Sequence, residues 1–158
     1  MTVPFTSTKT YRNLPCAHRQ WRHDGHCAFI HGYSRSFTFV FGASALSETH
    51  FVMDFGDLRE LKAWLEHMFD HTLLICADDP ELPLFHDMDA RGLCALRVLP
   101  NVSMEATAKV VFDKAEALVA AKTGGRVWVI SVECRENDKN SGMYTPPRGP
   151  DGARLEHP

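Results

Sequence analysis

Phe29-Ile30-His31-Gly32-Tyr33-Ser34-Arg35-Ser36-Phe37-Thr38-Phe39-Val40-Phe41 alternates strictly between two kinds of side chain. Tyr33, Arg35, Phe37, Phe39 and Phe41 fall on one side, and Ser34, Ser36, Thr38 and Val40 on the other. Period two sustained over this length predicts a long strand with one face on a core. Upstream, Ser7 to His18 carries β-favouring residues and predicts a hairpin partner, the histidine-rich stretch between them forming the connection. Downstream, Phe51-Val52-Met53 reads as a short extended piece. Leu58, Leu61, Trp64, Leu65, Met68 and Phe69 then recur at helical spacing, which predicts a helix over Asp54 to Phe69 with Asp54 or Asp57 near its start. Ala77 to Asn101 reads as a long loop, punctuated by Asp78-Asp79-Pro80 and Arg91-Gly92, with a short helical turn around Leu84 to Ala90. A second helix follows, with Ser103 as N-cap, Met104, Ala108, Val111, Phe112, Ala115, Leu118 and Val119 on one face, and Gly124-Gly125 as its stop. Arg126 to Cys134 alternates again, and a turn through Asn137 to Gly142 leads to a last short strand at Met143-Tyr144. Strand, strand, helix, helix, strand, strand is an α+β order, an antiparallel sheet with helices gathered on one face.

Composition bounds what such a domain can do. At 158 residues, 44% apolar and 23% charged, the chain is long enough to bury a core without disulfides and too balanced for general disorder. No linker divides it, so one domain is expected over residues 1–146; the Gly- and Pro-rich stretch 147–158 reads as a poorly ordered tail. A formal net charge of −3 argues against an electrostatic nucleic-acid binder. No apolar run approaches the ~20 residues of a membrane span, and the first residues lack the apolar core of a secretory signal. Five cysteines without framework spacing suit a reducing, cytoplasmic setting. Nine histidines are too many to ignore, because His18, His23, His26 and His31 lie close together.

Four constellations could carry chemistry. Positions 31 and 33 share a strand face, and a histidine at the end of the paired strand would complete a facial set; imidazole is the commonest zinc ligand, but solvated loop histidines give the same spacing. Asp70-His71 can fix a tautomer and raise basicity, or merely complement a helix C-terminus. Glu133 interrupts an apolar strand at the numerical parity of Val127 and Val129, so it must face solvent, meet a cation or await a ligand with paired N–H donors. Cys27, beside imidazoles, would be a thiolate base if a cation lay near; Cys16, Cys76 and Cys94 read as buried apolar residues.

In order, Ala17-His18-Arg19, Gly25-His26-Cys27, His31-Gly32, Val52-Met53-Asp54-Phe55-Gly56-Asp57-Leu58, Phe69-Asp70-His71, Ser103-Met104-Glu105 and Val132-Glu133 resemble the 6-pyruvoyl-tetrahydropterin synthase and 6-carboxytetrahydropterin synthase family. The resemblance implies a T-fold whose sheets associate into a barrel, in trimers or hexamers with sites at subunit interfaces. It also implies zinc on His18, His31 and a third ligand, Cys27 and the Asp70–His71 pair as catalytic groups, and Glu133 as the carboxylate anchoring a pterin ring. Glu105 matches a further substrate-binding glutamate. The implied activity is that of a lyase on the side chain of 7,8-dihydroneopterin triphosphate, with triphosphate eliminated. One branch feeds queuosine synthesis and the other tetrahydrobiopterin.

The family's His-Gly-His is here His31-Gly32-Tyr33. Either Tyr33 binds zinc as phenolate, at a cost because a free phenol has a pKa of about 10, or His23 or His26 substitutes, or the metal is weakened. The last outcome would leave a non-catalytic pterin binder; a related enzyme with a diverged pterin substrate is a further alternative.

Overall fold

The computed structural model describes residues 3–148. Its long alternating stretch is a strand, β2 (His31–Ala43), paired antiparallel with β1 (Phe5–His18) from Phe5↔Ala43 to His18↔His31. A single turn of 3-10 helix, His26–Ala28, lies in the loop between them. After β2 come a 3-10 turn (Phe55–Leu58), α1 (Arg59–Phe69), β3 (Thr72–Cys76), α2 (Leu82–Ala90), β4 (Leu96–Leu99), α3 (Met104–Thr123), β5 (Val127–Arg135) and β6 (Ser141–Tyr144). The six strands form one sheet in the order β4-β3-β1-β2-β5-β6.

The α+β expectation holds, and one part of it changes. The four strands expected from the sequence pair antiparallel, but β3 lies parallel to both β1 and β4, so the sheet is mixed. Thr72–Cys76 is buried at every position, and a strand covered on both faces shows no alternation to read. The stretch expected to be a long loop therefore contains most of a β-α-β unit. Its helix, α2, packs on the opposite sheet face from α1 and α3: Phe85 joins Leu73, Ile75 and Leu96, while Leu74, Cys76 and Leu99 belong to the main core. Helices thus cover both faces at this edge. Phe51-Val52-Met53 forms no strand.

The main core lies between the sheet and α1 and α3. Phe37, Phe39, Phe41, Phe69 and Phe112 are fully buried there. Asp54 accepts a hydrogen bond from the Gly56 N–H at 2.9 Å and starts the turn leading into α1. Ser103 caps α3 by accepting from the Ala106 N–H at 3.1 Å, and Gly124, in the left-handed region at φ 61°, ends it.

Two register shifts decide which residues face this core. In β1 the shift falls between Tyr11 and Leu14, with Asn13 at φ 61°. In β5, Val40 faces Ser131 and Phe41 faces Val129, so Ile130 is an extra residue, a β-bulge. Val127 and Val129 point into the core before the bulge, and Val132 and Cys134 after it. Among the described residues no helix is long and apolar enough to cross a membrane. The expected tail 147–158 falls outside the described residues except for its first two positions.

Candidate metal centre

His18 ends β1 and His31 begins β2, and the two are cross-strand partners. Gly32 brings their strands close: a Cβ there would stand 2.1 Å from the Cys16 carbonyl oxygen, so no other residue type fits. The imidazole centres are 4.5 Å apart. The third member of the cluster is Glu136, one residue past β5. Its Oε1 is 3.7 Å from His18 Nε2 and 3.9 Å from His31 Nε2. One donor atom from each of the three lies within 4.8 Å of the others, a group able to hold a metal ion. Tetrahedral ligands about 2.0–2.2 Å from zinc stand roughly 3.3–3.6 Å apart, so a small contraction would close the set.

The electronic state of the donors suits that use. His31 Nδ1 lies 2.7 Å from the Phe29 carbonyl oxygen, which fixes the proton on Nδ1 and leaves the Nε2 lone pair toward the cluster. His18 is buried and its pKa is lowered to about 3, first by burial and then by the Arg35 guanidinium and His31, so it stays neutral. Its Nδ1 is buried without a partner among the described residues, so the polar reach of the ring falls on Nε2.

Arg35 is the unexpected neighbour. Alternation carries it into the core, where it is 1% exposed. Nη1 donates to Thr107 Oγ1 at 3.3 Å, and Nε and Nη2 find no partner among the described residues. Burial pushes the Cys134 thiol up to about 12, against the pull of this guanidinium.

A cavity of ≈ 190 Å³ opens on the cluster and is lined by His18, Gln20, His23, Cys27, His31, Val102, Ser103, Met104 and Glu136. Cys27 therefore shares a cavity with the metal group. The loop carrying it is tied down: Arg19 grips buried Asp79 through Nε at 2.7 Å and Nη2 at 2.9 Å, and Gln20 donates to Asn101 at 2.9 Å.

The other expected residues lie elsewhere. Asp70 Oδ1 is 2.6 Å from His71 Nδ1, so the pair is formed, with the His71 side chain 84% exposed. His71 is held at φ 57° while its N–H donates to the Pro15 carbonyl at 2.7 Å. It lines a second cavity of ≈ 480 Å³ with Pro15, Cys16, Ala17, Gly32, Tyr33 and Thr72. Tyr33 is half exposed, its ring edge-on to His31 at 6.3 Å between centres. Glu133 pairs across with Thr38, on the sheet face away from the core, and its Oε1 is 3.4 Å from Arg135 Nε. Numerical parity with Val129 puts Glu133 on the core side; the bulge at Ile130 reverses that, and the same reversal brings Glu136 toward the histidines. Glu105 is exposed in the first turn of α3, and His26 is exposed on its loop.

A model of the family described as 6-pyruvoyl tetrahydropterin synthase matches residues 7–147. The 6-carboxy-5,6,7,8-tetrahydropterin synthase of Aquifex aeolicus is 27% identical over 156 residues, covering 87% of this chain and 95% of the relative. The protein of the same name from Rickettsia conorii is 33% identical over 66 residues, which is 41% of this chain and 48% of the relative. The chain thus spans about half the length of the rickettsial relatives it matches. Among solved structures, an uncharacterized protein of Wolinella succinogenes superposes with a TM-score of 0.77 at 20% identity, covering 89% of this chain and 97% of that one. The 6-pyruvoyl tetrahydropterin synthase of Caenorhabditis elegans gives a TM-score of 0.60 at 17% identity, over 93% of this chain and all of that one. At these identities the structural likeness speaks for the fold.

Proposed function

The chain belongs to the 6-pyruvoyl tetrahydropterin synthase family, and from that membership we propose a zinc-dependent lyase of the 6-carboxytetrahydropterin synthase kind, acting on 7,8-dihydroneopterin triphosphate. The observation that carries this reading is the His18, His31 and Glu136 group sharing one cavity with Cys27. Two imidazoles and a carboxylate form a ligand set used by catalytic zinc, with a position left for substrate. Zinc held there would polarise side-chain oxygens and acidify the neighbouring C–H groups.

The chain's own residues supply the remainder. Cys27 takes a proton from the side chain held in the cavity. Asp70 orients His71, which returns a proton as triphosphate leaves by elimination. Glu133 accepts the paired donors of the pterin's 2-amino and N3–H edge, which a carboxylate matches in geometry; Glu105 contacts the substrate beside Ser103. His71 and Cys27 line different cavities of one chain, which favours a homo-oligomer, a trimer or hexamer, in which copies complete one another's sites. The pathway served is queuosine synthesis.

Incubation with zinc and 7,8-dihydroneopterin triphosphate, followed by chromatography, tests the reading. The expected products are 6-carboxytetrahydropterin, acetaldehyde and triphosphate. A pyruvoyl product would move the chain to the other branch, and unaltered substrate bound to metal-loaded protein would make it a non-catalytic pterin binder.

A further inference from the structure

We propose that His23 donates a hydrogen bond to the hydroxyl oxygens of the bound pterin's side chain and is not a reserve metal ligand; this rests on the pterin reading above. The Gly25 N–H donates to His23 Nδ1 at 2.9 Å. An acceptor nitrogen carries no proton, so the neutral ring must be protonated on Nε2. Neither nitrogen is then free for a metal: Nδ1 is occupied and Nε2 bears hydrogen.

Glycine leaves the ring its room, since a Cβ at position 25 would stand 3.0 Å from His23 Cε1 and 3.2 Å from Nδ1 and the ring would have to give by a few tenths of an ångström. The backbone holds the arrangement in place, with the His23 N–H donating to the Gln20 carbonyl at 3.0 Å and the Gln20 N–H to the Cys27 carbonyl at 2.9 Å. His23 lines the cavity that contains Cys27 and the His18, His31 and Glu136 group. It contrasts there with His31, whose Nδ1 faces a carbonyl and whose Nε2 is therefore a lone pair. One backbone contact makes a ligand and the other makes a donor.

The position of His23 indicates which part of the ligand the donor meets: it lines the same cavity as the His18, His31 and Glu136 group, where zinc would hold the oxygens of the pterin side chain. An Nε2–H donor on this wall suits an oxygen of that chain.

Neopterin, which carries a trihydroxypropyl chain, and 6-methylpterin, which has no hydroxyl on its side chain, are the probes. Each is titrated by fluorescence into zinc-loaded wild type and His23→Ala, with zinc content measured in parallel. The expected result is unchanged zinc, neopterin bound about tenfold more weakly, as for one ordinary hydrogen bond, and 6-methylpterin unaffected. Loss of zinc in His23→Ala would restore the ligand role and overturn the proposal. Unchanged neopterin affinity, or equal loss for both pterins, would overturn it too. Wild-type protein that binds zinc but neither pterin would instead strike the pterin reading, and the proposal with it.

Discussion

Glu136 and Tyr33 compete for one role, and substitution separates them. Glu136→Gln removes the carboxylate that both imidazoles face and is expected to weaken zinc by more than about 100-fold, beyond the 10–100-fold typical of outer-shell changes. Tyr33→Phe is expected to leave zinc affinity within about twofold, since its ring lines the neighbouring cavity with His71. Competition against a chromophoric chelator measures both, and the opposite ranking would return the phenol to the metal. The histidine pair was legible because both residues sit at strand ends in a histidine-rich stretch. Glu136 was not, because its side is set by a bulge that no residue type announces. Arg35 was legible as inward-facing but not as a buried cation, which only burial reveals.

At the scale of elements, the close seam between β1 and β2 holds the centre together. Gly32→Ala would drive a methyl group into the Cys16 carbonyl, and backbone cannot yield as a side-chain tip can. The expected cost is about 1–3 kcal/mol of stability or more, with zinc binding lost in parallel because His18 and His31 separate. Thermal melts and zinc titration check this; a stable variant with intact zinc would show that the seam can open harmlessly. The same scale explains what sequence reading captured. β1, β2 and β5 alternate because one face is buried, and α1 and α3 show helical spacing for the same reason. β3 is buried at all five positions and α2 has Pro83 in its first turn and no side-chain cap, so neither gives the signal that amphipathic elements give.

For the whole molecule, the buried neutral imidazole of His18 links folding to pH. Its folded pKa, about 3, lies below the ordinary value of 6.5, so between these limits the unfolded chain binds a proton that the native chain refuses. This contribution is complete above pH 6.5 and is lost as pH falls toward 3. Metal-free protein is expected to lose on the order of 2 kcal/mol between pH 7 and pH 5, read by urea denaturation, and His18→Gln should flatten the dependence. An equal slope in that variant would assign the loss to other groups. Zinc should shift the whole curve upward, since it binds only the folded arrangement.

The extra residue at Ile130 also bears on how this chain can tolerate changes in length. Most insertions and deletions are absorbed in loops, where they alter reach and nothing else. Deleting Ile130 would leave Val129 opposite Phe41 and Ser131 opposite Val40 in a regular ladder, so Val132 and Cys134 stay inward, Glu133 outward and Glu136 beside the histidines, whereas losing one residue between Glu133 and Glu136 would put Glu136 on the wrong side. The unbroken alternation from Ser131 to Glu136 therefore fixes the spatial frame of two glutamates with separate proposed tasks. Lineages of this fold can gain or lose the residue at Ile130 and keep both carboxylates in place, whereas a one-residue change between the two glutamates should cost one function or the other.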